Sequence, residues 1–382
     1  MWKIQLHKLN IGNDELDAVK EALTSGWLAL GKRTEEFEQN FADKIGAKHA
    51  VAVANGTAAL HLANRILGIG PGDEVICPTL TFVAGANMIR EAGADVVFAD
   101  IESLDRLTIS PTDIRKKISP KTKAIQVMHY AGYPCDMTAI GEIAAEHGLS
   151  VIEDCAHSPG ARHKEQFCGT LGDVGCFSFY ANKNLTTGEG GMLVTNSDNL
   201  AASARLLRSH GMTSLAHNRH SDKTAGYDVQ ALGYNYAIDE IRSALGLVQL
   251  KKLDNANNLR RQARKSYCEF LSGIPGLSVP FSEAEYGAVP HIMSVILPLS
   301  IDRTKVIEHM HNAGIQTSIH YPAIHKFSYY QKSAPNGNPG LELSEEAEGR
   351  LLTLPLYPEL AVTEIKTVCQ TFASAVELYA AI

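Results

Sequence analysis

Short apolar runs recur along most of the chain: Val51–Val53, Glu74–Cys77, Val96–Ala99, Ala124–Met128, Val151–Glu153, Cys176–Phe179 and Met192–Val194. Each is only a few residues long and is flanked by turn-forming residues, which predicts buried β-strands. Between several of them the apolar positions take helical spacing, as from Ala58 to Leu67. Strands alternating with helices predict an α/β fold with a mainly parallel central sheet covered by helices. Near the start, Asn13-Asp14-Glu15 followed by Leu16, Val19 and Leu23 predicts a capped amphipathic helix. From about Asp239 to Leu250 the pattern turns helical again, and a charged stretch rich in Asn and Arg comes next. A domain boundary is expected there, between a large domain over 1–245 and a smaller α/β domain over 246–382, the latter with a strand around Met293–Leu297.

Two strand ends carry candidate chemistry. After the apolar run Phe177-Ser178-Phe179 come Lys183 and a loop of hydroxyls and glycines, Thr186-Thr187-Gly188-Glu189-Gly190-Gly191. An aldehyde cofactor needs an amine in a sheltered pocket, because burial or a nearby positive charge lowers a lysine's pKa and frees its nucleophile. A solvated lysine beside a Gly-rich turn gives the same pattern, so the loop alone leaves both readings open. Val151-Ile152-Glu153-Asp154 then puts an acid at the carboxyl end of an apolar strand, the edge where parallel α/β sheets collect ligands. A carboxylate there can keep a pyridine nitrogen protonated and make the ring of pyridoxal phosphate an electron sink. Gly56 and Thr57 fall between the strand Val51–Val53 and the helix from Ala58, where free N–H groups and the helix dipole favour a phosphate.

Composition narrows the class. The chain has 382 residues, 45% hydrophobic and 20% charged, as in ordinary globular proteins. Its net charge of −7 argues against non-specific nucleic-acid binding. The seven cysteines are scattered and show no C-x-x-C spacing, so buried thiols in a reducing compartment are expected, with no metal centre. Met1-Trp2-Lys3 opens without a signal peptide and no apolar run is long enough to cross a bilayer, so a cytoplasmic protein is expected.

Glu153-Asp154-Cys155-Ala156-His157 and the run from Phe177 through Lys183 to Gly191 resemble the DegT/DnrJ/EryC1/StrS family of fold-type-I, pyridoxal-phosphate-dependent sugar aminotransferases. The resemblance extends over Ser25-Gly26-Trp27-Leu28, Asn55-Gly56-Thr57, Pro71-Gly72-Asp73, Thr81-Phe82, Gly233-Tyr234-Asn235-Tyr236 and His320-Tyr321-Pro322. It implies that Lys183 forms the Schiff base and carries the proton, that Asp154 pairs with the pyridine nitrogen, and that His157 lies near the ring oxygen. It further implies Phe82 against the cofactor ring, Ser178, Gly56 and Thr57 on its phosphate, and Asn235 reaching the phosphate from the partner subunit of a homodimer. Trp27, Tyr180, Arg219, His320 and His325 are candidates for substrate contacts, and His129 for the pocket wall. Many members carry threonines after the glycine-tryptophan pair; Ala29 and Leu30 stand there in this chain.

The resemblance implies a ping-pong transamination from L-glutamate to a nucleotide-linked keto sugar. The Lys-Asn…Thr-Thr-Gly-Glu-Gly-Gly loop resembles that of members acting at C4 of UDP-, dTDP- or GDP-linked 4-keto hexoses or pentoses. Keto-inositol and C3-keto sugars are the alternative acceptors. Dehydratase relatives carry histidine in place of the lysine, and a non-catalytic regulator would be expected to add a DNA-binding module.

Overall fold

The computed structural model describes residues 2–213, 226–282, 287–333 and 339–379. Seven strands form one sheet: β1 (His49–Val53), β2 (Glu74–Pro78), β3 (Asp95–Ala99), β4 (Thr122–Met128), β5 (Ser150–Asp154), β6 (Val174–Ser178) and β7 (Gly191–Thr195). Their order across the sheet is β1-β7-β6-β5-β4-β2-β3. β7 runs antiparallel to β1 and β6, and the other neighbours are parallel. All seven coincide with predicted strands, and the α/β architecture is as expected.

Alternate side chains serve opposite faces. Val51, Ile152, Cys176 and Leu193 enter one core, with Leu60 and Leu62 of helix α3 (Gly56–Ile66). Ala52, Phe177 and Met192 face the other, packed on Phe37 and Phe41 of α2 (Lys32–Ile45). This period of two covers both sheet faces with helices and leaves the carboxyl ends of the parallel strands open. Asn55 caps α3, its side chain accepting from Ala58 N at 2.8 Å, so this helix begins at the strand edge.

The helix predicted at the N-terminus forms as α1 (Asn13–Thr24), with its apolar stripe turned outward. It buries Glu15 and Ala22, whereas Leu16 and Leu23 are 62% and 53% exposed. Glu15 accepts from Gln249 at 2.8 Å and pairs with Lys252 at 2.7 Å. Both partners lie on the long helix α8 (Glu240–Leu271), which comes after the remaining sheet helices α4 (Ala84–Glu91), α5 (Pro111–Lys117), α6 (Met137–His147) and α7 (Asp198–Arg208). The expected boundary at 245/246 falls inside α8. That helix is continuous because its buried side runs from Ser243, Gly246 and Leu250 through to Ala263, Tyr267 and Leu271.

The last three of these join a second core formed by the antiparallel pair β8 (Met293–Ile296) and β9 (Leu351–Leu354), with α9 (Arg303–Asn312) and α12 (Val362–Tyr379); α10 (Ser328–Ser333) and α11 (Glu342–Arg350) lie between them in the chain. The N-terminus belongs here too. Ile4 is bridged to Ile315, Leu6 N–H donates to Gln316 Oε1 at 3.0 Å, and Leu6 O accepts from Leu356 N at 3.1 Å. Among the described residues no helix is long and apolar enough to cross a membrane.

Candidate active site

A cleft of about 280 Å³ opens at the carboxyl ends of β4, β5 and β6, beside the start of α3. Asn55, Gly56, Thr57, Phe82, Asp154, His157, Ser178, Tyr180, Lys183, His320 and Tyr321 are among the residues that line it. Nine of the residues singled out in the sequence therefore converge on one cleft, from segments far apart along the chain.

Lys183 is placed by the loop after β6. Its N–H donates to Tyr180 O at 2.9 Å. Phe179 closes the loop by donating to Gly190 O at 2.8 Å and accepting from Thr187 N at 2.9 Å. The loop threonines therefore hold the lysine rather than line the cleft: Thr186 Oγ1 donates to Phe179 O at 3.3 Å and Thr187 Oγ1 to Glu189 O at 2.7 Å. Part of the lysine's surface faces the cleft, yet the surrounding protein desolvates its amine and brings the pKa down to about 8, with Asp154 opposing. A substantial share of such an amine is neutral and nucleophilic at physiological pH.

Asp154 ends β5, in register with Met128 of β4 and Cys176 of β6. It is buried and its side chain accepts from Ala156 N at 3.0 Å. Burial raises its pKa, against that hydrogen bond and the nearby Lys183 and His129. A buried carboxylate with one backbone donor is matched by a cationic N–H donor in the cleft. In the same cleft, Gly56 and Thr57 open α3, where the first N–H groups have no partner within the helix. A Cβ added at Gly56 would lie 2.8 Å from Ser178 Cβ, and one at Gly191 2.6 Å from Asn55 O. Both glycines let the strand-to-helix turn press against β6 and β7, which brings the Ser178 side chain beside these amides.

Phe82 is 54% exposed in the cleft wall, its ring 5.8 Å from that of Tyr321. Tyr180 and His320 line the cleft as well. His320 bonds Thr353 Oγ1 through Nδ1 at 3.1 Å, and burial, with Lys183 and His7 nearby, brings its pKa to about 4.

Other candidates stand elsewhere. His129 lies behind the wall: Nδ1 accepts from Cys135 N at 3.1 Å and Nε2 bonds Glu153 Oε2 at 2.9 Å. Glu153 also accepts from Gly169, Leu171 and Gly172 N–H at 2.7–2.8 Å, so this buried carboxylate organises a loop beneath the site. His325 is buried between Thr79 Oγ1 at 2.8 Å and Glu345 Oε1 at 2.9 Å, and is not among the residues lining the cleft. Trp27 is not among them either; its Nε1 donates to Leu30 O at 3.2 Å. Asn235 is exposed and bridged through its backbone to Ser209, outside the cleft of its own chain. Arg219 lies outside the described residues. Tyr321, Asn182 and Glu189 line the cleft although the sequence reading assigns them no role.

A model of the DegT/DnrJ/EryC1/StrS aminotransferase family matches residues 9–373. The chain belongs to that family. It is 40% identical over 372 residues to the spore coat polysaccharide biosynthesis protein SpsC of Bacillus subtilis, covering 96% of this chain and 95% of the relative. Among solved structures it resembles Helicobacter pylori PseC, an aminotransferase involved in the biosynthesis of pseudoaminic acid, with a TM-score of 0.93 and 28% identity over 98% of this chain and all of that one. It also resembles the PLP form of the putative sugar aminotransferase Spr1654 from Streptococcus pneumoniae, with a TM-score of 0.90 and 25% identity over 98% of each chain.

As a member of the DegT/DnrJ/EryC1/StrS family, the protein is a sugar aminotransferase that uses pyridoxal 5′-phosphate. The cleft fits that group. A desolvated lysine suits the aldehyde, a buried carboxylate that among the described residues is hydrogen-bonded to the backbone alone suits the ring nitrogen, and free helix amides beside a serine suit the phosphate.

Proposed function

We propose that the protein transfers the amino group of L-glutamate to C4 of a nucleotide-linked 4-keto sugar, in two half-reactions at one site shared by two copies of the chain. The observation that carries the transaminase chemistry is the meeting of Lys183, Asp154 and the α3 N-terminus in a single cleft. The bound cofactor supplies an aldehyde carbon to hold the amine and a ring to take up electrons. Lys183 Nζ holds the cofactor at rest and moves the proton once released. Asp154 stays ionised against the ring nitrogen, the α3 amides and Ser178 hold the phosphate, and Phe82 keeps water from one face of the ring.

The choice of C4 rests on the Asn184–Gly191 loop and its resemblance to the family's C4 enzymes. SpsC and PseC, named for polysaccharide and pseudoaminic acid biosynthesis, support an acceptor bound for a surface glycan. Two features support the shared site. Asn235 lies outside its own cleft, and Leu9, Ile11, Leu16, Leu23 and Leu28 near the N-terminus are all exposed, an apolar set that a second copy would cover.

The test is the visible spectrum of the cofactor-loaded protein before and after L-glutamate, and then a screen of keto-sugar acceptors. Loss of the visible band on adding glutamate and its return with a 4-keto sugar nucleotide are expected. Return of the band only with a 3-keto sugar or a keto-inositol would overturn the C4 assignment. A band that ignores glutamate would remove glutamate as donor.

A further inference from the structure

The hydrogen bonds around His157 determine where the proton of a neighbouring phenol points. His157 Nδ1 accepts the main-chain N–H of Ala131 at 3.3 Å, so that nitrogen carries no proton. Burial, with Lys183 and His320 nearby, pulls the imidazole pKa well below its ordinary value and keeps the ring neutral. A neutral ring that accepts at Nδ1 has its one proton on Nε2. Nε2 lies 2.9 Å from Tyr321 Oη. In this pair the histidine donates and the phenol oxygen accepts, so the phenol's own proton turns away from His157. Among the described residues no other protein group accepts that proton.

Tyr321 lines the cleft with Asp154 and Lys183. The titratable groups around this pair are Lys183, His320 and His291 about His157, and Tyr130 and Asp154 about Tyr321. Burial, with the last two, pushes the phenol pKa well above its ordinary value, so Tyr321 remains a donor throughout the working range. The covalent structure of pyridoxal phosphate indicates what it meets. The ring oxygen is bonded to the carbon beside the one bearing the aldehyde, on the edge away from the phosphate arm. With the lysine at the aldehyde and the acid at the ring nitrogen, a phosphate at the α3 amides takes one ring edge and leaves the other, which carries this oxygen, to the rest of the cleft wall.

We propose that Tyr321 donates a hydrogen bond to the ring oxyanion of pyridoxal phosphate, and that His157 is the positioning residue that aims its proton there. The proposal rests on the cleft being the cofactor site, and it relays through Tyr321 the contact with the ring oxygen that the sequence resemblance places on His157. Removing the donor makes the oxyanion more basic, so the proton shared between that oxygen and the Lys183 nitrogen is held more tightly.

Two measurements test it. In cofactor-free protein, the ¹⁵N shifts of the His157 ring should report a proton on Nε2; a proton on Nδ1 would overturn the relay. In cofactor-loaded protein, the pH midpoint of the visible band should rise by about one unit in Tyr321→Phe, roughly tenfold in proton affinity. His157→Gln, which keeps a side-chain N–H for the phenol, should shift it less than Tyr321→Phe. An unmoved midpoint in Tyr321→Phe would overturn the proposal, and slower transfer to the keto sugar alongside it would assign the phenol to the acceptor's carbonyl oxygen instead. If the unsubstituted protein shows no visible band, it is the cofactor reading that fails.

Discussion

Lys183 is nucleophilic only without its proton, and its pKa has come down from 10.5 to about 8. The neutral fraction grows as pH rises through that value. Capture of pyridoxal phosphate by the cofactor-free protein should therefore accelerate with pH and level off above about 8, as stopped-flow absorbance would report. A rate flat through neutrality would contradict the desolvated amine. Lys183→Ala should abolish both the visible band and transamination. Asp154→Asn removes the buried charge in the cleft while keeping the shape. We expect it to retain cofactor and lose roughly 10²-fold or more in turnover by steady-state assay.

At the scale of elements, the strand-to-helix turn at Asn55–Thr57 depends on two missing side chains. Gly56→Ala would put a methyl group 2.8 Å from Ser178 Cβ and force the helix start away from β6. Cofactor affinity in that variant should fall at least about tenfold by fluorescence titration, with melting temperature changed little, because the collision lies at the cleft rim. Glu153→Ala should behave in the opposite way. It strips the partner from three backbone N–H groups and His129, at a cost of about 3 kcal/mol or more, seen as a lower denaturation midpoint.

These elements also show how much was legible in the sequence. Strand positions and the placement of Lys183 and Asp154 at strand ends could be read because they depend on local apolar runs and on the few residues just past each strand. The histidines could not be sorted that way. His129 and His325 look as chemical as His157 along the chain, and only the fold pairs them with Glu153 and Glu345. The partnership of His157 with Tyr321 spans 164 residues, beyond any periodicity. The stripe of Leu16 and Leu23 was visible, but its direction was not, because Glu15 finds Gln249 and Lys252 on α8.

At the scale of the whole molecule, the proposed second copy makes the cleft a joint property. Asn235→Ala should weaken cofactor retention without altering the fold, since the side chain is exposed in its own chain. Leu16→Glu with Leu23→Glu should shift sedimentation toward monomer and lower cofactor content together; a cofactor-tight monomer would contradict the shared site. The second core is complete only when the segments around Leu6 and Gln316 are both present, because Leu6 donates to Gln316 across a separation of 310 residues. This has a consequence during synthesis. At about 5–20 residues per second, the segment around Leu6 waits roughly 15–60 s for its partners across those 310 residues. The sheet strands have all emerged well before then. A nascent chain therefore passes through a stage with Lys183 and the sheet strands already made and the segment around Leu6 still without its Gln316 partner.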